Sequence, residues 1–431
     1  MRIFQTLLAF SGNAPPQLAL MRRLVERGHQ VRVLAHRAAG ERVRATGAEL
    51  VEFRGALPDM DMARPESDPL RDWEARTKLG AALKARDNLL VGLLADTSHE
   101  CAQVLASWRA DVVVVDWMLP GAMVAAEGAG VPAVALVHCP YPLPAAGVPP
   151  LGSGMKPMRG RLGAVRDGVA QSIARRMLGA GLPTLNAARA EQGLAPLADW
   201  DQQLLGVAEI HVLSAPELDF AGRAELPANV HYVGPAFEPY EGEWRSPWPA
   251  QAAGCGEDPL VVIGFSTSYM NQRAPVQRVL DAVADLPVRA LLTAGPALEG
   301  AALRLPANAR AVAYVPHRQV LPHAALMITH AGWQTINAAL ADGVPLVCLP
   351  GGRDQPDNAI RVVAAGAGVR VRSGASVRKL RGAIAAALAD PALKQGAGAL
   401  ARALAHSDGA HAAAERIERL GERALVRPRR A

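Results

Sequence analysis

Aromatic residues are scarce in this chain: six Phe, five Tyr and seven Trp make up 4% of 431 residues. Basic residues nowhere alternate with them, so the stacking surface of a nucleic-acid reader is missing. Cysteine is scarcer still, with Cys101, Cys139, Cys255 and Cys348 far apart and no C-x-x-C pair. That spacing fits reduced, mostly buried thiols and argues against a disulfide framework or a cysteine zinc site. No apolar run reaches the ~18 residues needed to span a bilayer. Also absent are a Walker A loop, an H-E-x-x-H motif and a G-x-G-x-x-G after the first strand, so P-loop, zincin and dinucleotide readings lose their main support. The apolar start, Met1 through Leu8, has no Ala-x-Ala cleavage site and reads as a strand. A soluble cytoplasmic protein is expected.

Net charge is small for the length. Of the formal +6, half comes from residues 422–431, where four arginines face one glutamate. What remains is too weak to imply a nucleic-acid partner. Hydrophobic residues are plentiful at 50% against 20% charged, enough for large buried cores. At ~100–200 residues per domain, the length predicts two domains.

Short β-rich runs alternate with helical stretches, which implies βαβ units and parallel sheets. Strands are predicted at 1–8, 30–35, 111–115 and 133–137, with helices at 16–27 and 121–129. Residues 237–258 break the rhythm with Pro, Gly and two exposed-looking tryptophans, Trp244 and Trp248, and read as a linker. Beyond it strands are predicted at 260–264, 289–293, 311–314, 326–329 and 344–349. One α/β domain over 1–236 and a second over 259–410 are therefore expected, followed by a helix and basic tail over 411–431 that packs back on the first domain. Two excursions, 56–88 and 140–174, interrupt the sheet pattern as lid or binding-loop candidates.

Two D-x-D triplets, Asp59–Asp61 and Asp199–Asp201, are weak metal signals, since three-residue matches arise often by chance. More informative is the run Thr329-His330-Ala331-Gly332-Trp333-Gln334-Thr335. It follows an apolar strand and opens a helix, at the carboxyl edge where α/β sheets bind ligands. Gly332 permits close backbone approach, the helix start offers free N–H groups, and His330 and Thr335 add side-chain donors. Together they suit a pyrophosphate. The plain alternative is an ordinary strand–helix turn.

With Gly343-Val344-Pro345 and Pro350-Gly351-Gly352-Arg353-Asp354-Gln355 after it, this segment resembles the donor-binding signature of family 1 glycosyltransferases, which have the GT-B fold of two Rossmann-like domains facing a cleft. The wider likeness is to bacterial enzymes that glycosylate natural products. It implies that His330, Trp333, Gln334 and Thr335 sit at the donor diphosphate with Ser266 and Thr267 opposite. It further implies that the Val315 backbone meets the base of a UDP- or dTDP-sugar, and that Asp354 and Gln355 bind sugar hydroxyls. No metal or separate cofactor is expected, and the protein is expected as a monomer or homodimer. An apolar acceptor cleft is expected around Trp73, Met118, Leu119 and the 140–174 excursion.

One position departs from the family pattern. Asn13 stands where the family has the histidine that deprotonates the acceptor, and an amide cannot take a proton near neutral pH. Asp116, which matches the aspartate supporting that histidine, and His138, at the end of the following strand, are the substitute candidates. Their plain alternatives are a helix cap and a packed core histidine. An inverting transferase is expected, with a nucleotide-binding auxiliary partner of another transferase as the competing reading.

Overall fold

The computed structural model describes residues 1–9, 12–55, 64–68, 70–75, 77–239, 243–248 and 258–426. Asp59–Asp61, Cys255 and the tail after 426 lie outside the described residues. In the first half, β1 (Arg2–Leu7), β2 (Gln30–Ala35), β3 (Glu49–Glu52), β4 (Val112–Asp116), β5 (Ala133–Val137), β6 (Glu209–Val212) and β7 (Val230–Tyr232) form one sheet ordered β3-β2-β1-β4-β5-β6-β7. In the second half, β8 (Leu260–Gly264), β9 (Arg289–Thr293), β10 (Ala309–Val312), β11 (Ala324–Thr329), β12 (Leu346–Cys348) and β13 (Gly368–Arg370) are ordered β10-β9-β8-β11-β12-β13. Every pairing in both sheets is parallel.

Helices cover both faces of each sheet, so the central strands are apolar on both sides. Val112 to Val115 and Val261 to Ile263 are all fully buried. Close layering depends in places on a missing side chain. A Cβ on Gly121 would lie 2.1 Å from the Leu94 carbonyl, so glycine lets the helix Pro120–Gly128 meet the helix Leu94–Ser107 backbone to backbone. Strand order reverses between β1 and β4, and again between β8 and β11, opening a crevice at the carboxyl edge of each sheet.

Three expectations need correction. β10 occupies 309–312 and not 311–314, because Ala309 is the residue that turns into the core while Tyr314 is 76% exposed. Trp248 is buried: it joins the core of the second half beneath the Arg289 guanidinium, 5.7 Å from the ring centroid. Trp244 lies against His323 at 5.2 Å, so the described part of the connection adheres to the second half. The excursion over 140–174 is irregular as far as Arg159 and then enters the helix Gly160–Gly179, which leaves Leu162, Val165, Val169 and Ile173 exposed along one stripe.

The last helix, Gly409–Val426, returns to the first half. Ala410, Ala413, Ala414 and Ile417 are buried in one cluster with Leu18, Met21 and Val112. Arg27 and His29 both bond Glu418, at 2.5 and 2.8 Å, and Arg27 foremost holds that carboxyl down to about 2.

Candidate active site

Between the two carboxyl edges lies a cleft of about 1330 Å³ lined from both halves. On the second half's wall, three residues turn the chain from β11 into the helix Trp333–Ala341. Ala331 adopts φ 70°, which an L-residue rarely does, and Gly332 caps the helix. A Cβ on Gly332 would stand 2.6 Å from His330 Nε2, so glycine is what leaves the imidazole in place. That ring stacks on Phe265 with centroids 6.2 Å apart. Burial, reinforced by the charge of Arg353, pushes His330 down to about 4, so the imidazole is neutral at pH 7.

Gln334, Thr335, Ser266, Thr267 and Val315 all line the cleft with His330, Gly332 and Trp333. Ser266 is held in place: its carbonyl accepts from Gln272, and its hydroxyl accepts from the Ser268 N–H at 3.2 Å. Two buried N–H donors on this wall, Trp333 Nε1 and Gln334 Nε2, have no partner among the described residues. Open donors at a helix start are suited to anionic oxygens. Gln355 and Asp354 are there too, though in unequal states. Gln355 Oε1 accepts from the Gly351 and Gly352 N–H groups at 2.9 and 3.2 Å, which shapes the loop. Asp354 Oδ2 accepts from Asn358 at 2.9 Å, and burial raises its carboxyl pKa against that bond.

On the first half's wall the geometry departs from expectation. Asn13 lines the cleft, but its amide points to Met118 Sδ at 3.7 Å, away from Asp116. Gln17, one helical turn on, fills the space between: its Nε2 donates to Asp116 Oδ2 at 2.7 Å and to the Asn13 carbonyl at 3.2 Å. Asp116 itself is fully buried and does not reach the cleft, which overturns its direct role as base. Its other oxygen accepts from the Met118 N–H at 3.0 Å and meets His138 Nε2 at 3.1 Å. His138 does line the cleft, beside Trp117 and Met118.

Of the three expected acceptor residues, only Met118 is on the wall. Leu119 turns inward and is 5% exposed in the core of the first half, and Trp73 packs edge-on against Tyr269 at 5.0 Å. Their places are taken by Trp117, Leu70, Leu89, Met123, Leu143 and Leu151. Trp117 adds a buried indole N–H with no partner among the described residues. Trp117 adjoins Met118 in sequence, Leu143 and Leu151 fall within the 140–174 excursion expected at the cleft, and Leu89 lies one residue past the excursion over 56–88.

The halves are clamped at the rim. Arg353 reaches from the donor loop to Asp68, to Asp72 at 3.6 Å and to Ser268 Oγ at 2.9 Å. Arg361 pairs with Asp219 at 3.1 Å, both buried, and Asp219 also accepts from the Tyr141 N–H and the Tyr232 hydroxyl. Asp357 accepts from the Gly152 and Gly154 N–H groups, each at 3.0 Å, and burial raises its pKa to about 6. Asp201 of the second D-x-D lies 4.0 Å from Arg175, and among the described residues no three His, Cys, Asp or Glu gather as metal ligands. Nor is any described helix long and apolar enough to cross a membrane.

Comparison with known proteins agrees with this geometry. Residues 277–420 match the family described as the C-terminal domain of erythromycin biosynthesis protein CIII-like proteins. Over 415 residues the chain is 28% identical to 4'-demethylrebeccamycin synthase of Lentzea aerocolonigenes, covering 95% of this chain and 97% of that one. Its structure superposes on the glycosyltransferase of kitacinnamycin with a TM-score of 0.74 at 24% identity, covering 97% and 98% of the two chains. The glycosyltransferase VinC, solved in complex with dTDP, gives 0.69 at 20% identity, covering 98% of this chain and all of that one. The fold is GT-B. Residues 277–420 thus resemble the CIII-like C-terminal domain, and over nearly its whole length the chain is similar to a natural-product glycosyltransferase.

Proposed function

We propose that the protein transfers a sugar from a nucleoside diphosphate, dTDP or UDP, to a hydrophobic natural-product-like acceptor, with inversion and without a metal ion. The carrying observation is the junction after β11, where His330, the helix start and the open Trp333 and Gln334 donors line the cleft together with Ser266 and Thr267. A diphosphate seated there would have its developing charge met by fixed dipoles, the arrangement that stabilises a leaving group without a cation. Asp354 stands where sugar hydroxyls would fall, and the apolar wall around Trp117 and Met123 suits a bulky aglycone. The acceptor oxygen would attack the anomeric carbon from the side opposite the diphosphate, in one displacement. The relative crystallised with dTDP supports a thymidine or uridine diphosphate as the leaving group. The auxiliary-partner reading rests on Asn13, and the His138–Asp116 pair on the opposite wall supplies the kind of group whose loss it assumes.

The test is thermal denaturation with dTDP and UDP in the presence of EDTA, followed by mass spectrometry of reactions with aromatic and macrolide acceptors. A ligand that binds only the folded state raises Tm. A rise with either nucleotide under EDTA and a mass gain of one sugar support the proposal. A strict requirement for Mn²⁺ or Mg²⁺, or no response to any nucleotide, refutes it.

A further inference from the structure

We infer that His138 is the general base of the transfer and that Asp116 is its positioning residue, the role of residue 13 having moved to another strand. The inference rests on the transferase reading above. Two absences on the first wall motivate it. Asn13 offers the cleft only an amide, which takes no proton near neutral pH, and Asp116 has no surface there. His138 has both the chemistry and the place. It follows β5 directly, is 4% exposed, and lines the cleft between Trp117 and Cys139.

The carboxylate also fixes which nitrogen does the work. Asp116 Oδ1, 3.1 Å from Nε2, holds the proton on that nitrogen, which leaves the lone pair on Nδ1. A buried carboxylate behind an imidazole sets the tautomer and stabilises the imidazolium that forms. Asp116 is in turn held by Gln17 on its other oxygen and by the Met118 N–H, so it cannot swing away. Arg353 and Asp354 line the same cleft from the second half, and Asp219 and Arg361 lie behind the neighbouring Cys139. In the step itself, Nδ1 accepts the proton of the acceptor O–H as that oxygen bonds to the anomeric carbon. The bond from that carbon to the diphosphate breaks, its electron pair leaves with the diphosphate, and the imidazolium later releases the proton to solvent.

His138→Gln keeps an N–H for Asp116 and removes the base. With an aliphatic-alcohol acceptor, kcat should fall by about 10²–10⁴-fold, the usual worth of a positioned base. With a nitrophenol already ionised at neutral pH it should fall by less than about tenfold, and the Tm rise with dTDP should be unchanged. Asp116→Asn should show the same acceptor selectivity, since an amide offers Nε2 the wrong partner. Equal losses on both acceptors would make His138 a packing residue and overturn the assignment, as would an alcohol rate within about threefold of wild type. A wild-type chain that binds dTDP yet neither transfers nor hydrolyses any nucleotide sugar would overturn the transferase reading, and this assignment with it.

Discussion

His330 and His317 illustrate how a single buried ring ties a ligand wall to pH. Burial holds both imidazoles down to about 4, whereas an unfolded histidine takes its proton near 6.5. Between those values the unfolded chain binds protons that the folded chain refuses. Stability is therefore complete above about pH 6.5 and is lost as the pH falls toward 4. Differential scanning calorimetry from pH 8 to 4.5 should show Tm falling through that window, and His317→Gln should flatten the decline. Gly332 offers a sharper test of the donor wall. Gly332→Ala places a methyl group 2.6 Å from His330 Nε2, which forces the ring to move while leaving the sheet untouched. Hydrogen bonds to charged groups are worth about 1.5–3 kcal/mol, so dTDP affinity measured by calorimetry should drop about ten- to a hundred-fold with little change in unliganded Tm.

Between elements, the Asp219–Arg361 pair joins the loop after β6 to the helix Gln355–Ala364, with the guanidinium also over Phe220 at 4.6 Å. Both side chains are buried, so removing one leaves the other charge stranded. Arg361→Met should cost about 3–5 kcal/mol in urea unfolding, and Asp219→Leu combined with it should recover part of that loss. Such pairings were invisible in the sequence, where their members stand 142 positions apart. What the sequence did disclose follows from burial. Strands such as 133–137 and 260–264, covered on both faces, read as unbroken apolar runs, and their limits match the observed ones. The edge strands β3 and β13 were missed because one side faces solvent and their Glu and Arg ends dilute the pattern. The donor wall was legible because its parts lie within one short segment, with turn, cap and donors in order. His138 and Asp116 could be named as base candidates from their strand ends, but their pairing and the part of Gln17 could not, because the three meet only through strand order. A polar Gln17 on the otherwise apolar buried face of its helix was a further signal in the sequence.

For the whole molecule, the chain crosses between halves twice, once through the Phe237 segment and once before Gly409. The second crossing gives the first half part of its core. Ile417, fully buried at that interface, should cost about 2–5 kcal/mol when replaced by Ala, read as a lower unfolding midpoint. The same packing bears on how the protein is made. Synthesis is vectorial, and domains ordinarily fold as they emerge, amino-terminal first. Here the first half waits: β1 to β7 have long left the ribosome while the Ala410, Ala413 and Ile417 face that completes their cover is still being translated. The first half is therefore the last to mature, and a message cut short just before residue 409 yields a second half whose sheet is whole beside a first half whose apolar seam lies open.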